Sequence, residues 1–447
     1  MKIKRIGAIL CALATVTLTG CGCEGKKEDE IMDPEGYKKE FSENMFWEKE
    51  DVPSEENGCV VQDTDIHIYN YCPSIFEEDE NTRYAYYCSN RYSTDELKEF
   101  SYLGVSPKQQ GKYMDYVDEL GKNRITDYIA FRKGIKIDGE WYWSPKSYVL
   151  APTIGSRTEG EQTCDPNVIK GEFKYNGEKY SYLMAYLACA TRDNTYNHVC
   201  LAVANAPEGP WQKCRDINPF IEYSSENVPD VIKENTYLWG YGQASMISLD
   251  KKGSVLMFYS SICPYQNPVS GAWGHATNTT VAKFDLSDLN NVRTESSIRG
   301  VPADGLKTRD GAAMDCLTNA DYAYEPKSGR IYLVADGGGV AYVENKSKSE
   351  TPEIGDVFFD YETDWKRSEI AWTMAAQLRA ENTKYYSEAH NNCVIRDAYG
   401  WLTDSESLEV AITGSLNSGN YRKTFPKARD PLWTYRILRK TVDLKGK

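Results

Sequence analysis

Three features of this 447-residue chain predict an all-β fold arranged as a five-bladed β-propeller. A short polar triplet followed by apolar residues, a turn and an aromatic strand recurs five times. Tyr (33) and Trp (10) are abundant, and such residues suit the pleated surface of strands. Convincing long helical periodicity is absent. A hairpin of this kind cannot bury both faces alone. Stacking five of them in a ring buries them and leaves only short, protected edges.

The N-terminus has its own logic. Lys2, Lys4 and Arg5 precede a mostly apolar run, Ile6 to Thr17, too short for a permanent membrane span. Leu18-Thr19-Gly20-Cys21 follows and resembles the bacterial lipobox, with an ordinary cleaved signal as the alternative. The expected organisation is a lipoprotein signal peptide over 1–20, a charged tether over 21–58 with lipidated Cys21 at its head, and the propeller over 59–443. The expected location is extracytoplasmic, lipid-anchored to the bacterial cell membrane, as a monomer. A net charge of −14 argues against nucleic acid, because phosphates need a basic footprint. The chain has 13 cysteines and no CxxC pair, so a zinc ribbon is not expected. Cys189 and Cys200 flank an expected hairpin and are read as a candidate bridge.

The five repeats run in order. Cys72-Pro73-Ser74-Ile75-Phe76 opens blade one, turns at Asp79 to Thr82 and returns through Tyr84 to Tyr87. Asp165-Pro166-Asn167-Val168-Ile169 opens blade two, turns at Asn176-Gly177 and returns through Tyr182 to Tyr186. Gln243-Ala244-Ser245, Asn319-Ala320-Asp321 and Asn391-Asn392-Cys393 open blades three to five. The starts at 72, 165, 243, 319 and 391 lie 93, 78, 76 and 72 residues apart, enough for four strands and their loops. Trp141 and Trp143 are placed on one strand face by their alternation with Tyr142. In a propeller the inner strands begin near the central axis, so the five triplets converge on one cavity. Asp321 is expected to point away from the axis.

These stretches, with "APEGPW" from Ala206 to Trp211 and "NADYAYEPKSGRIYLVAD", resemble the five-bladed propeller glycoside hydrolases of families 43 and 32. The resemblance covers about Gly58 to Asp443. It implies acid/base hydrolysis of a glycosidic bond in glycan fragments at the cell surface, with a carbohydrate partner. It also implies a base Asp in blade one, a pKa-tuning Asp in blade two and an acid Glu in blade three. Only Asp165 matches; Cys72 and Gln243 stand at the other two positions. A non-catalytic carbohydrate-binding lipoprotein on the same fold is therefore the second reading. Asp165, Asp65 and Asp127 are the candidate catalytic carboxylates, with Glu159 and Glu161 as substitutes nearby. Gln243, Cys72, Asn319, His390, Asn391 and Arg132 (on a strand expected to neighbour that of Asp127) are candidate substrate ligands. Trp239 and Trp273 are candidate aromatic platforms. No cofactor is called for, beyond room for a structural cation in the axial channel.

Overall fold

The computed structural model describes residues 37–39, 70–90, 127–153, 155–191, 195–224, 228–235, 238–266, 269–344, 354, 356–359, 370–378, 389–414 and 435–446. Cys21, Asp65 and the signal peptide lie outside these residues. The unit from Tyr37 to Lys447 is a five-bladed β-propeller made of five sheets.

Blade one runs outward from Asn70–Asp79 through Thr82–Asn90 and Asp127–Ile137 to Glu140–Trp143. Lys38–Lys39 pairs with Trp143 and Tyr142 at its outer edge, so part of the expected tether adds a strand to this blade. Blade two is Gln162–Tyr175, Glu178–Cys189, His198–Ala204 and Gln212–Lys213. Blade three is Tyr241–Ser248, Ser254–Gln266, Trp273–Asp285 and Arg293–Arg299. Blade four is Asp321–Glu325, Arg330–Val334, Gly339–Val343 and Thr373–Gln377. Blade five contributes His390–Val394, Ser407–Gly414 and Arg436–Asp443 among the described residues. All neighbours within these runs are antiparallel. Asn176 (φ 51°) and Gly177 (φ 86°) form the two-residue turn that the right-handed twist of a hairpin favours.

Both faces of each blade are covered, which explains why strands such as Glu178–Cys189 read as nearly continuous apolar runs. Leu183 and Ala185 pack toward blade three, while Tyr182, Met184, Tyr186 and Ala188 pack toward blade one. This is the period-two alternation of a strand spent on two neighbours. Five such interblade cores close the circle, the fifth joining Ile75, Tyr87 and Trp143 of blade one to Cys393 and Ala411 of blade five. Phe258 and Tyr322 stack across blades three and four with ring centroids 3.7 Å apart. Trp141 and Trp143 share a buried face, their rings stacked at 6.2 Å.

Cys189 and Cys200 are not bridged to each other, contrary to the expectation, and both are buried. Cys200 lies opposite Tyr186 in the core between blades one and two, and Cys189 packs in a different cluster.

A second ring closes the propeller at its axis. The third residue of each triplet accepts a hydrogen bond from the backbone N–H of the fourth residue in the next blade. Val168 donates to Ser74 Oγ (3.2 Å), Met246 to Asn167 Oδ1 (2.9 Å) and Tyr322 to Ser245 Oγ (3.0 Å). Val394 donates to Asp321 Oδ2 (2.9 Å), and Ile75 donates to the Cys393 sulfur, which completes the circuit. Asp321 thus belongs to the axis, contrary to the expectation that it points away. Its Oδ1 also accepts from Ser245 Oγ (2.5 Å) and Asn167 Nδ2 (3.3 Å) and lies 3.4 Å from the Arg396 guanidinium. Arg396 is 3% exposed and also donates to Asn167 Oδ1 (3.1 Å) and the Tyr322 carbonyl. The positive charge at this level is a guanidinium.

Candidate functional site

Two residues before each ring position the inner strand kinks. Cys72, Asp165, Gln243, Asn319 and Asn391, the five triplet starts, all have left-handed backbone, with φ of 47°, 48°, 27°, 48° and 43°. In blades one, two, three and five the ladder register shifts at the same point. A bulge re-aims the side chain it carries. For a non-glycine residue this conformation costs roughly 1–2 kcal/mol. Such strain collects where a site needs a particular side-chain direction.

The kinked residues meet across blades. Gln243 Nε2 donates to the Asn392 carbonyl (3.1 Å), linking blade three to blade five. The Gln243 N–H bonds to the Asp165 carboxylate, and His390 lies near enough for its charge to act on that carboxylate. Asn319 Nδ2 donates to Asp336 Oδ2 (3.2 Å), the Asn391 N–H donates to Asp336 Oδ1 (2.7 Å), and His390 Nδ1 lies 3.2 Å from Asp336 Oδ2. Asp336 is half-buried and joins blade four to blade five. Two acceptors in this mouth, Gln243 Oε1 and Asn391 Oδ1, are buried with no hydrogen-bond partner among the described residues.

Asp165 is 7% exposed. Burial pushes its carboxyl above the usual range, opposed by the Cys72 and Cys88 thiols, by His390 and by the Gln243 N–H. Cys72 is fully buried beside it, its N–H donating to Thr413 Oγ1 (3.1 Å). Gly242 supplies room here. A Cβ on it would lie 3.1 Å from Leu187 Cδ1, 3.4 Å from the Trp239 ring and 3.8 Å from Asp165 Oδ2. Trp239 and Asp165 thus flank the same glycine, and Trp239 packs in an aromatic cluster that includes Tyr196 and Tyr241.

The other candidates are placed differently. Asp127 is buried and accepts from the Tyr71 hydroxyl (2.7 Å). Arg132 is on the same strand as Asp127, not a neighbouring one, and its Nε donates to the Tyr87 hydroxyl (3.2 Å) inside blade one. Trp273 is 42% exposed and pairs with Gln266, beyond the level where Ser261 pairs with Tyr241 at the start of the inner strand. It rises from the mouth side of blade three. Glu159 is a buried structural acid, bound by Lys213 Nζ (2.9 Å), the Tyr186 hydroxyl (2.8 Å) and Thr153 Oγ1 (2.7 Å).

Asp336 and Cys88 are absent from the candidates read in the sequence. Cys88 lies near the end of the second strand of blade one, and Asp336 two residues past the second strand of blade four. An antiparallel partner returns to the axis where the inner strand starts, so Cys88 comes opposite Tyr71 and Asp336 follows Val334, the partner of Asp321. That pairing is the signal that would have found them.

No family model and no curated protein matches the sequence. The structure is similar to solved glycoside hydrolases. Zg3597, a family 117 glycoside hydrolase of the marine bacterium Zobellia galactanivorans, is 13% identical over 91% of this chain and 90% of its own, with a TM-score of 0.44. A thermostable family-43 glycoside hydrolase is 14% identical over 84% and 89%, with a TM-score of 0.42. The α-L-arabinofuranosidase PaAbf62A of Podospora anserina is 11% identical over 84% and 92%, with a TM-score of 0.42. At this identity the similarity assigns neither a substrate nor a catalytic residue.

Proposed function

We propose that the axial mouth binds a glycan fragment and that the protein is a glycoside hydrolase-like lipoprotein, anchored through Cys21 and working at the cell surface. The observation that carries this reading is a pair of buried acceptors with no partner among the described residues, Gln243 Oε1 and Asn391 Oδ1, in one mouth with two carboxylates. An orphaned buried acceptor costs about 1–3 kcal/mol, so a donor-rich ligand recovers that energy on binding. A polyol supplies such donors, and the Trp239 ring adds an apolar flank for a sugar face. Asp165 and Asp336 come from different blades and are the two carboxylates an acid/base hydrolysis requires. Asp336 is held by two N–H donors and His390, which leaves it oriented rather than free to rotate.

A second reading, carbohydrate binding without turnover, is favoured by the thiol at Cys72 and the amide at Gln243, neither of which relays a proton as a carboxyl does. One screen separates the two. The mature chain is tested for hydrolysis and for saturable binding against aryl glycosides and oligosaccharides, with Asp336→Asn and Asp165→Asn alongside. Hydrolysis that falls about 10²–10⁴-fold in Asp336→Asn, the usual contribution of a positioned acid or base, supports the enzyme. Binding without product supports the second reading. Absence of both across the screen sinks the glycan assignment.

A further inference from the structure

Between blades one and two, thiols that glycan binding leaves unused meet the Asp165 carboxylate of the mouth. The sulfurs of Cys72 and Cys88 and a carboxylate oxygen of Asp165 all lie within 4.8 Å of one another. They are 1%, 0% and 7% exposed. The Cys164 thiol lies against that of Cys88, and all three thiols pack in one cluster with Leu187 and Cys189. Buried thiols are weak hydrogen-bond donors. A buried carboxylate set against such thiols gains little from them in place of water.

We propose that Cys72, Cys88 and Asp165 bind a soft divalent cation of the zinc class, with Cys164 at hand for a fourth position. The ligand spacing fits. In a tetrahedral site with metal–sulfur and metal–oxygen bonds of about 2.3 Å and 2.1 Å, sulfur and oxygen stand about 3.6 Å apart. Cys88 Sγ and Asp165 Oδ1 are 3.6 Å apart. The Asp165 N–H also points at Cys88 Sγ (2.8 Å), the kind of outer hydrogen bond that stabilises a coordinated thiolate. Sulfur ligands select against calcium and magnesium, which take oxygen. The ion replaces the protons of the two thiols, which leave to solvent. Because the ligands are buried, the ion enters as the chain folds. It would tie the second strand of blade one to the inner strand of blade two just where the mouth begins.

The test does not depend on glycan activity. The mature chain is unfolded in denaturant with reductant, without oxygen, and refolded with Co²⁺. The expected result is one equivalent of bound cobalt, with a near-ultraviolet thiolate-to-cobalt charge-transfer band that Zn²⁺ bleaches. Cys88→Ser should abolish the band and Cys72→Ser should weaken cobalt binding at least tenfold. Cys200→Ser, a buried thiol of blade two outside the cluster, should keep it. No band from a wild-type chain whose circular dichroism shows the native β signature overturns the proposal. So does a band that survives Cys88→Ser in full, which places the ion on other cysteines. A disulfide joining two of Cys72, Cys88 and Cys164 in the native protein, seen by mass spectrometry without reduction, overturns it as well.

Discussion

The first and third residues of the repeated triplet sit two positions apart in the chain and do opposite work. The third residues, Ser74, Asn167, Ser245, Asp321 and Cys393, form a ring in which each accepts an N–H from the next blade. The first residues, Cys72, Asp165, Gln243, Asn319 and Asn391, carry left-handed backbone, and two of them hold acceptors with no partner among the described residues. One layer spends its polar groups on closing the propeller; the other keeps Gln243 Oε1 and Asn391 Oδ1 without a partner among the described residues. A closed ring two residues below is what allows the mouth to tolerate strain and unpaired groups, since neither can relax by letting the blades separate.

The largest test of that contrast is at Asp321. It and Arg396 are 3% exposed, and the charges face each other at 3.4 Å in the middle of the ring. Removing one member of a buried, hydrogen-bonded pair leaves an uncompensated charge and costs about 3–5 kcal/mol. Asp321→Ala should lower the unfolding free energy by that amount in a denaturant titration. Adding Arg396→Met should restore part of the loss, because the lone guanidinium is then gone. A single variant as stable as wild type would mean that the ring is decoration and that the interblade cores alone close the molecule.

A smaller effect is expected at Ser74, whose hydroxyl accepts from Val168 and carries no charge. Ser74→Ala leaves that N–H buried and unpaired, at a cost of about 1–3 kcal/mol. Glycan binding should change little if ring and mouth are separate layers. Loss of binding with little loss of stability would show that the layers are one unit.

How much of this was legible beforehand follows the same division. The fold was readable because each blade is buried on both faces, so apolar runs such as that from Tyr182 to Tyr186 recur at near-even spacing. The triplets were readable as the points of convergence, and Asp165, Gln243, Asn319, His390 and Asn391 do meet or bond across blades. Which triplet position faces the mouth was not readable. A kinked residue breaks the alternation of a strand, so counting by twos from Asn319 carried no information about Asp321. Asp336, Cys88 and Arg396 were missed for another reason. Their roles come from strand pairing and from a side chain that reaches three other blades, and no local pattern encodes either. Arg132 and Asp127, expected on neighbouring strands, share one, as the lack of any turn-favouring residue between them allows; Gly134 follows both and lies inside the strand.

The finest test separates strain from function at Asn391. Its φ of 43° is one that glycine adopts freely, and its Oδ1 has no partner among the described residues. Asn391→Gly relieves both, while adding freedom to the unfolded chain. These opposing terms should leave stability within about 1 kcal/mol of wild type. Binding should tell a different story. If the amide oxygen waits for a sugar hydroxyl, losing one hydrogen bond of about 1.4 kcal/mol weakens affinity about tenfold, measured by titration calorimetry on the glycan found in the screen. Unchanged affinity would move Asn391 from the mouth's function to its scaffold and leave Gln243 as the unpaired acceptor to test. A stable variant with weakened binding would show that the strain and the unpaired oxygen at Asn391 are kept for the ligand rather than for the fold.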